Sequence, residues 1–193
     1  MSTMADRLIE AMTKSAARQY GKERVTELAH ALQCAELAAG AGGDEEMVLA
    51  CLLHDVGRYA VQEEISDPPE AGAPRAAKTR GHHEAGADLI APYVPERVVF
   101  LVRAHADAKR YLCAADPGYY DTLSKGSKHT LALQGGIMTA DEAVSVATHP
   151  WWPDALRLRR WDDEAKIVGK ATRPLSAWEP LLRKYFAELT APH

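Results

Sequence analysis

Asp44-Glu45-Glu46-Met47-Val48-Leu49-Ala50-Cys51-Leu52-Leu53-His54-Asp55-Val56-Gly57 is the stretch from which the rest of the chain can be read. Asp44 is a helix N-cap, its short carboxylate placed to accept a first-turn N–H. The spacing predicts a helix through Met47, Val48, Ala50, Cys51, Leu52 and Leu53, with Gly57 near its end. His54 and Asp55 then fall in its last turns. Burying an ionised Asp directly after apolar residues is costly unless a metal or hydrogen bonds compensate, so the pair points to metal ligation. Neighbours on a helix point about 100° apart. Both can serve one dinuclear cluster if it lies beside the helix end and each side chain reaches a different metal or edge.

Other donors lie outward in both directions. His30 precedes the pair, His82 and His105 follow it, and Asp162 stands near the end of the chain. Four neutral imidazoles and two carboxylates suit iron, manganese or zinc, and suit calcium or a thiolate cluster poorly. Two metals sharing these ligands keep open positions for water, oxygen or substrate. Any one histidine alone reads equally well as a satisfied core or surface residue, and it is the His-Asp adjacency that favours the metal. His83 is the neighbour most easily confused with His82, while His129, His149 and His193 have no comparable context.

Apolar residues recur at helical intervals and β-branched residues are few, so the chain reads as an all-α helical bundle forming one domain over residues 1–193. Helices are predicted over 4–18, 26–39, 81–93, 95–105, 127–133, 154–161 and 178–189. Pro68, Pro69, Gly72 and Pro74 make 63–81 a loop, longer than most connections and placed as a lid beside the site. Residues 111–124 read as a loop with short helices.

The formal net charge of -4, from 23 basic and 27 acidic residues, provides no broad basic field for nucleic acid, although a small basic pocket could still bind a small anion. Cys34, Cys51 and Cys113 have no Cys-x-x-Cys spacing and read as free thiols in a reducing compartment. Neither a secretory start nor an apolar run of membrane-spanning length is visible. The expectation is a soluble cytoplasmic protein with a small-molecule partner and no nucleic acid or membrane partner.

The chain resembles the HD-domain superfamily. Within it the likeness is to small oxygenases with a mixed-valence di-iron centre, related to myo-inositol oxygenase, that degrade 2-amino-1-hydroxyethylphosphonate or its N-trimethyl form. The residues that carry it are Glu-Leu-Ala-His30, Leu-Leu-His54-Asp55-Val-Gly, His82-His83-Glu-Ala-Gly86, His105-Ala-Asp-Ala-Lys109-Arg110, Leu-Gln134-Gly-Gly and Arg-Trp161-Asp162. The resemblance implies that Asp55 bridges two irons in the Fe(II)/Fe(III) state, with O2 as co-substrate. His30 and Asp162 would complete one iron, and His82 and His105 the other. His82 is preferred over His83 because its distance to Gly86 fits the family pattern.

Further roles follow from the same likeness. Lys109 would neutralise a metal-bound phosphonate, with Arg110, Ser127 and Gln134 as further anion or loop contacts. Tyr20 and Glu23 would flank the substrate's amino end, Tyr20 holding an open iron position until substrate enters. Tyr20, Glu23 and Lys109 are thus the catalytic candidates beyond the ligands. On sequence alone Lys109-Arg110 is an ordinary solvated pair, and Tyr20 with Glu23 an ordinary helix cap and surface charge. Arg58 stands where the aminohydroxyethylphosphonate enzyme has a histidine. It cannot be a neutral base, but it could clamp a phosphonate and change substrate preference.

The implied reaction is oxygen-dependent cleavage of the C–P bond, giving phosphate with glycine, or with glycine betaine from the trimethyl form. Glu23 favours the primary amine. A cage drawn from Tyr20, Tyr59, Tyr93, Tyr119, Tyr120, Trp151, Trp152 and Trp161 would favour the methylated cation. The rival readings are an HD-domain metal-dependent phosphohydrolase and a metal-binding interaction protein without turnover.

Overall fold

Thr3, Thr26, Asp44, Ser124 and Thr139 each begin a helix by the same device, a side-chain oxygen accepting the backbone N–H three residues on. In the computed structural model, which describes residues 2–60 and 81–187, these caps open five of the helices. In chain order the helices are α1 (Met4–Ser15), α2 (Glu27–Gly40), α3 (Glu45–Leu53), α4 (Val56–Tyr59), α5 (His82–Ile90) and α6 (Glu96–Ala115). They continue with α7 (Tyr119–Thr122), α8 (Lys125–Leu133), α9 (Ala140–Ala147), α10 (Trp152–Glu164) and, after a 3-10 turn at Leu175–Ala177, α11 (Glu179–Tyr185). The fold is an all-α bundle, and its sole extended pairing among the described residues is an isolated bridge between Gln19 and Thr26. No helix among them is long and apolar enough to cross a membrane.

Met47 to Leu53 are all buried, which makes α3 the central rod, packed by α2, α6 and α10. Leu49, Leu52 and Leu53 are fully inside, together with Leu101 of α6 and Leu158 of α10. Burying a side chain of this size contributes roughly 1.5–3 kcal/mol. Arg97 secures the outer end of the rod, reaching Asp44 at 2.9 Å and Asp154 at 2.7 Å.

The chain departs from its sequence reading at functionally important places. The central helix stops at Leu53 rather than running toward Gly57. His54 caps it, Asp55 leaves helical geometry at φ -102 and ψ 14, and α4 starts at Val56. The pair therefore sits in a break, which frees adjacent residues from the fixed helical angle between them. The helix beginning after Pro95 does not end at His105 but continues to Ala115, because Ala104, Ala106, Ala108 and Leu112 keep burying its inner face. That places Lys109 on helix one turn beyond His105. Helix α9 had no counterpart in the sequence reading, and it buries none of its residues. The predicted first and last helices shorten to Met4–Ser15 and Glu179–Tyr185, while all but Gly81 of the lid predicted over 63–81, and the predicted end of the last helix at Leu189, lie outside the described residues.

Two glycines make the decisive helix crossing. A Cβ on Gly57 would lie 2.0 Å from the carbonyl oxygen of His82, and one on Gly86 would lie 2.8 Å from the Gly57 nitrogen. Helices α4 and α5 thus touch backbone to backbone, and this close approach brings His82 to Asp55.

Candidate metal centre

Three of the histidines are oriented from behind. His30 Nδ1 lies 2.8 Å from the Ala165 carbonyl, His54 Nδ1 2.8 Å from that of Cys51, and His105 Nδ1 2.7 Å from that of Val102. A carbonyl only accepts, so each Nδ1 carries the proton and each Nε2 presents a lone pair. This is the arrangement a metal-ligating imidazole needs.

The lone pairs converge in two groups. His30, His54 and Asp162 form one triad, and Asp55, His82 and His105 the other, with the ligand atoms of each within 4.8 Å of one another. In the first, His30 Nε2 is 3.1 Å from His54 Nε2 and 3.3 Å from Asp162 Oδ1. Asp55 Oδ2 faces this triad, 3.3 Å from His54 Nε2, while its Oδ1 lies 3.0 Å from His82 Nε2 and 3.9 Å from His105 Nε2. One carboxylate therefore gives an oxygen to each group. Asp55 Oδ2 and Asp162 Oδ1 are buried with no hydrogen-bond partner. Acceptors facing acceptors in a buried site repel, and a cation in each triad satisfies them all, so the residues present fit a metal pair.

Burial works against charge on Asp55, yet the flanking His54 and His82 imidazoles hold its carboxyl well below the usual carboxylate range. Burial likewise opposes charge on Asp162, but the Arg159 and Lys166 cations outweigh it and keep this carboxyl well below its ordinary value. Both are therefore ionised, as ligands must be.

A cavity of about 270 Å³ opens onto the cluster, and Asp55, His82, His105 and Asp162 reach its surface. Tyr20, Glu23, Arg58, Lys109, Ser127 and Gln134 line it too. Lys109 is 3 % exposed and donates to the Thr130 hydroxyl at 2.8 Å. Burial and the neighbouring Arg159 cation push its ammonium down to about 8, while Asp162 and Asp163 pull the other way. The Tyr20 ring stacks on His30 at 3.9 Å, and burial with the Asp162 and Asp55 carboxylates raises its hydroxyl well above 10. The Arg58 guanidinium lies over the Tyr20 ring, 4.8 Å from its centre, and its Nε donates to the buried Glu27 at 3.3 Å. Glu23 accepts a short hydrogen bond from the Ser124 hydroxyl, which also caps α8.

Arg110 is not in the lining. It donates to the Gly136 carbonyl at 3.0 Å and pairs with Asp107 at 3.0 Å and Glu142 at 2.8 Å, fastening the turn between α8 and α9. Of the aromatic residues considered for a cage, Tyr20 alone lines the cavity. His83 stays outside both triads, its ring centre 5.9 Å from that of His105. The sequence reading missed Arg159, which lines the cavity and pairs with Asp162, and also Thr130, Ser124 and Glu27. Only Arg159 left a sequence signal, its i,i+3 and i,i+4 spacing to Asp162 and Asp163.

These features define a class. Residues 28–171 match the sequence model of the HD domain, and the chain belongs to the HD-domain family. It is 37 % identical over 152 residues to the hydroxymethylphosphonate dioxygenase of Gimesia maris, spanning 79 % of this chain and 73 % of that protein. It is 32 % identical over 166 residues, 86 % of this chain and 82 % of the other, to the glycine-betaine-forming 1-hydroxy-2-(trimethylamino)ethylphosphonate dioxygenase of Leisingera caerulea. An uncharacterised protein of Acanthamoeba polyphaga mimivirus is 30 % identical over 172 residues, 89 % and 76 % of the two chains. The chain is thus a metal-dependent HD-domain enzyme related to phosphonate dioxygenases.

Proposed function

We propose that this protein uses dioxygen to cleave the carbon–phosphorus bond of a 1-hydroxyphosphonate, at an Fe(II)/Fe(III) pair held by the two triads. The products are phosphate and the carboxylic acid of the remaining carbons: glycine from 1-hydroxy-2-aminoethylphosphonate, or glycine betaine from its N-trimethyl form. One O2 balances the conversion of R–CH(OH)–phosphonate to R–COOH and phosphate. The observation that carries this reading is the division of Asp55 between two ligand triads at a cavity that also holds a buried lysine.

When bound, the iron pair supplies the one-electron oxygen chemistry. The chain supplies placement and charge. Lys109, directed by Thr130, presents an ammonium to the phosphonate. Gln134 has a buried side-chain carbonyl without a partner, available to a substrate donor. Tyr20 remains a neutral hydroxyl beside the first triad because its ionisation is suppressed. Glu23, braced by Ser124, can accept from a primary ammonium, which favours that substrate, and among the described residues Tyr20 is the one Phe, Tyr or Trp in the lining, too few to cage the trimethyl form. Arg58 supports the Tyr20 ring through its stacking and its bond to Glu27.

The two named relatives act on substrates that share a hydroxyl on the phosphonate carbon and differ beyond it. The test therefore varies that tail. Anaerobically iron-loaded protein is mixed with hydroxymethylphosphonate, 1-hydroxy-2-aminoethylphosphonate or its N-trimethyl form, oxygen is admitted, and phosphate and the organic acid are measured. Oxygen-dependent release from the primary amine is expected. Phosphate from a phosphomonoester without oxygen, and none from the phosphonates, would replace this reading with a phosphohydrolase.

A further inference from the structure

Arg159 is 3 % exposed on α10, and each of its three nitrogens is engaged. Nη1 donates to Asp162 Oδ2, Nη2 to Asp163, and Nε to the Tyr119 hydroxyl at 3.0 Å and to Asp163 at 3.2 Å. Tyr119, itself buried on the short helix α7, donates its hydroxyl to Asp163. Asp162 therefore has one oxygen consumed by Arg159, while the other lies 3.3 Å from His30 Nε2 with no hydrogen-bond partner.

We infer that Tyr119 and Arg159 form a positioning relay that fixes Asp162 as a one-oxygen ligand of the His30–His54 triad. This inference rests on the paired-metal part of the proposed function and is independent of the substrate. A guanidinium forked between two carboxylates cannot swing without leaving a buried charge unpaired, so its direction is fixed. The Asp162 carboxylate is then held at one rotation, with Oδ2 on Arg159 and Oδ1 facing His30 Nε2, where it would serve as the ligand atom, the Lys166 ammonium standing 3.6 Å from it. A freed carboxylate would rotate, and a cation binding there would have to freeze that rotation again, which weakens the site. Tyr119 acts at one remove: it orients Arg159 and Asp163, neither of which belongs to the second triad. The relay's effect is thus confined to one of the two sites.

Calorimetric titration of the full chain with Mn(II) tests this, alongside thermal melting. The wild type is expected to bind two equivalents, with Asp162→Asn identifying which one belongs to the His30 triad. Arg159→Gln would take the guanidinium from the buried Asp162 and the half-buried Asp163 and can fail to fold, so Tyr119→Phe and Arg159→Lys carry the test. Both are expected to weaken the Asp162-dependent equivalent by about tenfold, the scale of a lost ligand-orienting contact, and to leave the other within twofold. Two wild-type equivalents that both weaken in the variants, or neither, would overturn the relay alone. A wild type that binds a single Mn(II) would overturn the paired-metal reading and the relay with it.

Discussion

Asp55 holds the centre together because a carboxylate has two oxygens and this one points each at a different triad, 3.3 Å from His54 Nε2 and 3.0 Å from His82 Nε2. Asp55→Asn keeps the shape and loses the charge. Metal titration should show both equivalents weakened by about a hundredfold or more, whereas His105→Ala weakens one, since the loss of even an outer contact costs 10–100-fold. Lys109 makes a second prediction at this scale. Burial lowers its ammonium to about 8, with Arg159 and Lys166 adding to the depression and Asp162 and Asp163 opposing it. Below that pH it is charged and can hold a phosphonate, and above it the charge is lost. With the primary-amine substrate, kcat/KM should therefore fall as pH rises through about 8, and Lys109→Arg should move that limb upward or remove it. Because charging Lys109 in the fold is unfavourable, Lys109→Met should lose substrate binding while the melting temperature holds or rises.

Helices α4 and α5 locate His82 by touching at two glycines, which makes the crossing testable. Gly57→Ala sets a methyl 2.0 Å from the His82 carbonyl, a clash that only separation of the helices relieves, while Gly86→Ala meets atoms at 2.8 Å and beyond. The first should cost about 1–3 kcal/mol by denaturant melting and weaken the Asp55–His82–His105 site, and the second should cost less. This element also marks what the sequence could reveal. Asp44 and the apolar spacing placed the starts of α2 and α3 to within a residue, because caps and periodicity are local. The break at His54-Asp55 was not legible, since it depends on α4 turning to meet α5. The run of α6 beyond His105 was hidden because Tyr111 and the following Pro117-Gly118 and Tyr119-Tyr120 resemble a loop. Arg110 read as an anion contact beside Lys109, yet adjacent residues on a helix diverge and this one turns to Gly136 and Glu142. Arg159 escaped notice because its value lies in contacts with α7, far away in sequence.

Across the molecule, the cluster draws its ligands from α2, from the break after α3, and from α5, α6 and α10, so bound metal ties together most of the bundle. The bundle does not depend on that tie for its existence. Leu8, Met12, Leu49, Leu101, Leu158, Leu182 and Phe186 are fully buried in one continuous core, unlike small domains whose metal replaces a core. Chelation should accordingly leave helical circular dichroism nearly intact and lower the melting temperature. Two sites each saturated at a hundred times their dissociation constant stabilise by about 2.7 kcal/mol apiece. For a chain of this length, each kcal/mol moves the midpoint by roughly 2–4 °C, so the loss on adding EDTA should be about 10–20 °C. Restoring metal should recover it, and Asp55→Asn should melt near the chelated wild type whether or not metal is present. Collapse of the helical signal on chelation would make the metal structural, and an unchanged midpoint would mean that the converging lone pairs bind no cation. Partial loss with the helices retained is the behaviour of a bundle built first on its core and then locked by its reactive centre.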